Sequence, residues 1–235
     1  MEDYTNLFDA EAVEAAATWN KQIASGRYLR GNMFLNAAVS SVPSNGYILD
    51  YGCGPGRISA MLARRGFRVL GLDPSPGMIA MARQQPLDAL QVEFQLSSTC
   101  PVEAQQEAYD GVVCSSVIEY APDPEEFLRR FFTALRPTGV LIISFANSPS
   151  FSRAWYEFRY SDHYRAARKH TWSWRQFSRL LKRSGFRPIQ DPVFFRSIFD
   201  DLAPLRFLPT SRFDGALGLV VAVKDELGPD AHSGF

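Results

Sequence analysis

Between residues 47 and 145, short apolar runs alternate with stretches in which apolar residues recur every three or four positions. Ile48-Leu49, Phe67 to Leu72, Gln91 to Leu96, Asp110 to Ser115 and Val140 to Phe145 read as strands; the last is almost unbroken, as strands buried on both faces are. The intervening stretches read as helices. Arg57 to Arg65 carries Ile58, Met61 and Leu62 at helical spacing, and Ser75-Pro76 is an N-cap with proline at the first helical position, opening a helix to about Gln84. Asp123-Pro124-Glu125-Glu126 has the form of a capping box for a helix to about Leu135, and Arg136-Pro137-Thr138-Gly139 is expected to turn. This alternation predicts βαβ units around a parallel sheet.

Outside the core the patterns change. Phe8, Ala12, Ala15, Ala16, Trp19 and Ile23 share one helical face ending near Gly26, and a second helix is expected from about Tyr28 to Val42. These helices are expected to cover a sheet edge; the sharper alternative is that they also lid a ligand site. From Ala146 to Trp172 no single period holds, and aromatic residues mix with arginines. Ser173-x-x-Gln176 is a further capping box, for a helix through Phe177, Leu180 and Leu181 that stops at Gly185. Arg187 to Phe195 and Ala216 to Val223 read as final strands, joined by a connection containing Pro204 and Pro209.

Composition narrows the class. With 235 residues, 46% hydrophobic, the chain accommodates one sizeable α/β domain, and 25 basic against 25 acidic residues lack the charge footprint of a general nucleic-acid binder. Cys53, Cys100 and Cys114 have neither CxxC nor Cys/His spacing, so no disulfide framework or structural zinc is indicated, and a reducing compartment fits. An acidic start, Met1-Glu2-Asp3-Tyr4, and the lack of an apolar run near the roughly 18–20 residues of a membrane span lead us to expect a cytoplasmic protein with no membrane span.

The chemistry concentrates in Tyr47-Ile-Leu-Asp-Tyr-Gly-Cys-Gly-Pro-Gly56, a strand entering a glycine-rich turn at a helix N-terminus. A dinucleotide fingerprint would place its third glycine at position 57, where this chain has Arg57. Asp50, two residues before Gly52, would repel a pyrophosphate but suits a cationic amino group. Asp73, at the end of the second strand, is placed to accept ribose hydroxyls. A nicotinamide oxidoreductase is therefore disfavoured.

Four segments carry a resemblance: Ile48 to Gly56, Leu70-Gly-Leu-Asp-Pro-Ser-Pro-Gly-Met78, Tyr109-Asp-Gly-Val-Val-Cys-Ser-Ser-Val-Ile-Glu-Tyr120 and Leu135-Arg-Pro-Thr-Gly-Val-Leu-Ile-Ile143. In this order they resemble the class I S-adenosylmethionine-dependent methyltransferases, in the small-molecule branch related to ubiquinone-biosynthesis O-methyltransferases. The resemblance implies S-adenosyl-L-methionine as cofactor, leaving as S-adenosyl-L-homocysteine. It places Gly52, Cys53, Gly54 and Gly56 around the methionine part, Asp50 at its amino-acid end, and Asp73, Pro74 and Ser75 by the ribose. Met78 would face the adenine, Ser115 and Ser116 would lie beside the sulfonium, and Ser97-Ser98-Thr99 would stand where the family usually offers Gly-Asp-Ala, with Ser98 in place of the acid on the adenine amine and Ser97 counted with the cofactor site. Relatives commonly carry Glu-His where this chain has Glu119-Tyr120.

The implied fold is α/β, a Rossmann-like seven-stranded, mostly parallel sheet with helices on both faces and an antiparallel last strand. A single methyltransferase domain over 1–235 would comprise N-terminal helices (1–42), a cofactor-binding core (43–145), an aromatic substrate cap insertion after strand 5 (146–174), a helix and hairpin (175–224) and a tail (225–235). A hydroxyl acceptor must lose a proton, so His163 and His170 are the candidate general bases, with Tyr160 and Tyr120 behind them and His232 set aside in the tail. Glu119 is read as solvated, Cys53 and Cys114 as packing residues, and no Asp/His cluster suggests a metal. The expected partner is a small molecule, aromatic or bearing a carboxylate or phosphate that the arginines of the insertion would meet, and no nucleic acid. O-methylation leads; N-methylation and a non-catalytic cofactor-binding module are the alternatives.

Overall fold

The structure, a computed structural model, describes residues 26–87, 90–97, 106–148, 150, 170–195, 215–226 and 228. The strands are β1 (Tyr47–Tyr51), β2 (Arg68–Asp73), β3 (Val92–Leu96), β4 (Tyr109–Cys114), β5 (Leu135–Ala146), β6 (Phe186–Pro188), β7 (Val193–Phe195) and β8 (Leu217–Lys224). Among the described residues they form one eight-stranded sheet in the order β3-β2-β1-β4-β5-β8-β6, with β7 also on β8. From β3 to β5 all pairs are parallel, and β8 runs against β5, β6 and β7. The sheet thus follows the expected class, with one strand more than the seven expected. The stretch read as one strand over Arg187 to Phe195 is two: Pro188 and Pro192 each withdraw a ladder donor, and after Ile189, whose N–H still donates to Val221 O at 3.0 Å, the ladder pairing resumes only at Val193.

The helices are α1 (Gly26–Ser41), α2 (Arg57–Arg64), α3 (Pro76–Arg83), α4 (Pro124–Ala134) and α5 (Trp174–Arg183). Strand pleating sorts neighbours to opposite faces. Ile48, Val69, Val113, Ile142 and Val221 pack with Phe34 and Ala38 of α1 and Leu62 of α2. Leu49, Leu70, Val112, Leu141 and Val220 pack with Phe131 of α4 and Phe177 of α5. Helices therefore cover both faces, and α1 lies over central strands of one face where an edge position was expected. The helix expected over Phe8 to Ile23 and the connection with Pro204 and Pro209 lie outside the described residues.

Two local readings change. Residues 136–139 are not a free turn but an excursion within β5: Tyr109 pairs with Leu135 and Gly111 with Val140, and Thr138 has φ 62°. Arg136 Nη1 donates to Asp110 Oδ1 at 2.7 Å, holding the excursion against β4. Asp123 caps α4 through its carboxylate, which accepts from Glu125 N and Glu126 N at 3.0 Å, but Glu126 pairs with Arg130 at 3.4 Å instead of reaching back. An i,i+4 ion pair competes for the same carboxylate. The box at α5 is present, with Gln176 Oε1 accepting from Ser173 N at 2.9 Å.

The order places β1 between β2 and β4, so the connections leaving β1 and β3 diverge in opposite directions. The crevice at the carboxyl ends of β1 and β4 is the topological switch point, where open α/β sheets bind ligands.

Candidate active site

The glycine turn after β1 fills one side of that crevice. Gly52, Gly54 and Gly56 have φ of +72°, +54° and +77°, a left-handed backbone that other residues adopt only with strain. Gly52 N and Cys53 N both donate to Leu72 O, at 2.8 and 3.0 Å, tying the loop to β2. Gln85 Nε2 donates to Pro55 O at 2.5 Å from the far side. The three glycines differ in what surrounds them. A Cβ on Gly52 would stand 2.3 Å from Val117 Cγ2, and one on Gly56 2.6 Å from the Phe94 ring. On Gly54 it would meet nothing nearer than Met78 Sδ at 4.0 Å, so this glycine leaves open space beside the backbone.

Two buried carboxylates flank the loop. Asp73 Oδ2 accepts from Gly54 N at 2.8 Å and Oδ1 from Ser75 N at 2.9 Å. Asp50, 1% exposed, accepts from Ser59 Oγ at 2.6 Å. Burial pushes the Asp50 carboxyl from 3.8 up to about 6, against the partly offsetting Ser59 hydrogen bonds. The folded value lies above the unfolded one, so the stability from this group is fully present below about pH 4 and is lost as pH rises through 6. At about 1.4 kcal/mol per pH unit the loss is on the order of 3 kcal/mol. Asp50→Asn is expected to remove this slope between pH 4 and 6, as measured by urea denaturation of the ligand-free chain; an unchanged slope would locate it elsewhere. A cationic ligand amine beside Asp50 would favour its ionised form.

The other side of the crevice is the end of β4. Ser115 Oγ is buried and has no hydrogen-bond partner among the described residues. Ser116 has φ 57°, its N–H donates to Ser144 Oγ at 2.9 Å, and its hydroxyl accepts from Arg30 Nη1 at 2.9 Å. Glu119, expected in solvent, is 3% exposed, because a short 3₁₀ turn (Ile118–Tyr120) folds it inward. Its backbone carbonyl accepts from His170 N at 3.1 Å. His170 Nε2 is buried without a hydrogen-bond partner among the described residues, and the ring stacks on Trp172 with centroids 5.5 Å apart and planes at 18°. Trp172 is fixed through Ala146 O and Ser148 N, each at 2.9 Å.

The remaining expected site residues fall as follows. Met78 is buried next to the space at Gly54, and Pro74 joins Asp73 to Ser75 at the same strand end. Ser75 uses its hydroxyl to cap α3, accepting from Met78 N at 3.1 Å. Ser97 is nearly buried, with its N–H on Asp73 O at 3.1 Å. Ser98, Tyr160 and His163 lie outside the described residues. Cys53 and Cys114 are buried, and desolvation with nearby carboxylates pushes both thiols well up, which suits packing and not nucleophilic attack. Among the described residues no group of three or more His, Cys, Asp or Glu stands together, and no helix is long and apolar enough to cross a membrane.

Sequence reading missed Arg30, Ser59, Gln85, Val117 and Ser144, which hold the site from behind. Ser59 alone left a signal, a small polar residue on the apolar face of α2 between Gly56 and Leu62.

The donor set fits S-adenosylmethionine: a carboxylate that suits an ammonium, a second one at the carboxyl end of β2, a backbone left open at Gly54 and, at Ser115, a buried hydroxyl without a partner among the described residues.

A family model described as a methyltransferase domain matches residues 26–191. Ubiquinone biosynthesis O-methyltransferase of Xanthomonas axonopodis pv. citri is 34% identical over 107 residues, a match spanning 45% of this chain and 45% of that protein, under half the length of each. Among solved structures, magnesium protoporphyrin IX methyltransferase of Synechocystis PCC 6803, with bound S-adenosylhomocysteine, superposes with a TM-score of 0.66 at 17% identity, covering 94% of this chain and 100% of that one. The 1,6-didemethyltoxoflavin-N1-methyltransferase of Burkholderia thailandensis gives 0.59 at 20% identity, covering 96% and 90%. These two likenesses are of fold.

Proposed function

Since the chain belongs to the methyltransferase domain family and is a class I S-adenosylmethionine-dependent methyltransferase, we propose that it methylates a hydroxyl of a small or medium-sized acceptor, with His170 as general base. The observation that carries this reading is His170 Nε2, a buried ring nitrogen without a hydrogen-bond partner among the described residues, on the segment that pairs with the end of β5. A neutral imidazole with hydrogen on Nδ1 offers Nε2 as an acceptor. When bound, S-adenosylmethionine supplies a methyl group already activated on a sulfonium. The chain's part is positioning and proton transfer. Gly54 and Asp73 would hold the donor against the loop, Asp50 would balance its ammonium, and Met78 would cover the adenine. His170 Nε2 would accept the proton that the acceptor hydroxyl gives up. Proximity of this kind contributes roughly 7–11 kcal/mol, and a positioned base a further factor of about 10²–10⁴.

Residues 146–174, where aromatics and arginines concentrate in the sequence, are proposed as the acceptor cap, with His163 and Tyr160 as the other titratable candidates. The test is methyl release over a panel of phenols, sugar hydroxyls and amines. His170→Gln is expected to lower turnover on a hydroxyl acceptor at least about 100-fold, with S-adenosylhomocysteine binding unchanged. Turnover on amines alone, insensitive to His170→Gln, would establish N-methylation in its place, and tight cofactor binding without turnover on any acceptor would indicate a binding module.

A further inference from the structure

Arg30 is the unexpected residue at this site. It sits on α1, 86 positions from its partner, and donates from Nη1 to Ser116 Oγ at 2.9 Å. Ser116 is a non-glycine residue in left-handed backbone, held on its other side by Ser144 Oγ. The next residue, Val117, is the one whose Cγ2 stands 2.3 Å from the place of a Cβ on Gly52. Val117 is thus the wall against which the first glycine of the loop rests. Beside Arg30, Gly31 approaches α2 so closely that a Cβ there would lie 2.8 Å from Met61 Sδ. Two adjacent residues of α1 therefore reach the backing of Gly52, through Ser116 and Val117, and the helix that follows the loop, through Met61.

We propose that Arg30 is a positioning residue that latches α1 to the cofactor loop through Ser116, so that docking of α1 and binding of the cofactor strengthen each other. The proposal rests on the methyltransferase reading above. A left-handed serine has alternative conformations open to it, and the two hydrogen bonds on Ser116 hold it where Val117 supports Gly52. Coupling is reciprocal, so a bound cofactor also tightens α1.

The test compares the wild type, Arg30→Met, Ser116→Ala and the double variant. It reads S-adenosylhomocysteine binding by calorimetry and hydrogen exchange at the amides of Ser116 and Val117 in the ligand-free chain. Each single variant is expected to bind about 5–10-fold more weakly and to exchange faster at these amides, while the double variant loses less than the two single losses combined, because all three lack the Arg30–Ser116 contact. In the wild type, adding S-adenosylhomocysteine is expected to slow exchange along Gly26–Ser41. Should Arg30→Met not fold, Ser116→Ala removes the same contact from the other partner and decides alone. Folded single variants that bind and exchange as the wild type does, or losses that add in the double variant, would overturn the latch. A wild type that does not bind S-adenosylhomocysteine would overturn the functional reading itself, a result separable from failure of the latch.

Discussion

Gly54→Leu is expected to lower affinity for S-adenosylhomocysteine by about 100-fold or more, a loss of about 2.7 kcal/mol, in a chain that still folds. The reason is the asymmetry of the three glycines. A Cβ on Gly54 meets nothing nearer than Met78 Sδ at 4.0 Å, so a longer side chain enters the open space beside the loop. Its own cost is the left-handed φ of +54°, about 1–2 kcal/mol, or a fall of about 2–8 °C in melting temperature for a chain of this size. Gly52→Ala reverses the outcome. There the new methyl overlaps Val117 at 2.3 Å, and strain and overpacking together are expected to cost about 3 kcal/mol before any ligand is added. Calorimetry and urea denaturation of the two variants separate the effects. If Gly54→Leu binds like the wild type, the ligand does not pass along this backbone.

Asp73→Ala is expected to have the other large effect, because this carboxylate has two tasks. Both of its oxygens accept backbone N–H groups, from Gly54 and Ser75, and so fix the loop and the start of α3 together. Hydrogen bonds to charged groups contribute about 1.5–3 kcal/mol each, and alanine leaves both donors without this partner. A stability loss of about 3 kcal/mol is expected, together with a loss of S-adenosylhomocysteine affinity of more than about 100-fold from the misplaced loop and the missing ribose acceptor. Asp73→Asn keeps one acceptor oxygen and is expected to fall between the wild type and alanine in both measurements. Wild-type affinity in a folded Asp73→Ala chain would remove Asp73 from the site.

The candidate site is thus two shells of different legibility. Asp50, Gly52, Gly54, Gly56 and Asp73 stand at the ends of strands whose apolar pattern is unambiguous, so their place at the carboxyl edge of the sheet follows from the order of strand, turn and helix. The residues that hold them came from elsewhere. Ser59 reaches Asp50 from one turn into α2, Gln85 reaches Pro55 from beyond α3, and Arg30 reaches Ser116 across 86 residues. Each is an ordinary polar residue until the fold brings its partner within 3 Å. The same holds for Glu119, which a short 3₁₀ turn folds inward, and for His170, tied to the Glu119 carbonyl by a backbone hydrogen bond that no spacing announces.

By itself the sequence determined the parallel α/β architecture, the glycine turn at the switch point and the acidic pair at the carboxyl ends of the first two strands. These are local quantities, period of hydrophobicity, backbone freedom and charge, and each is readable within about ten residues. Only the tertiary structure decided which of the loop's three glycines, Gly54, faces open space, that Asp50 is held by Ser59 with its carboxyl pushed to about 6, and that α1 grips the end of β4 through Arg30. Those are properties of what surrounds a residue, and in a close-packed interior the surroundings are supplied by segments distant in the chain.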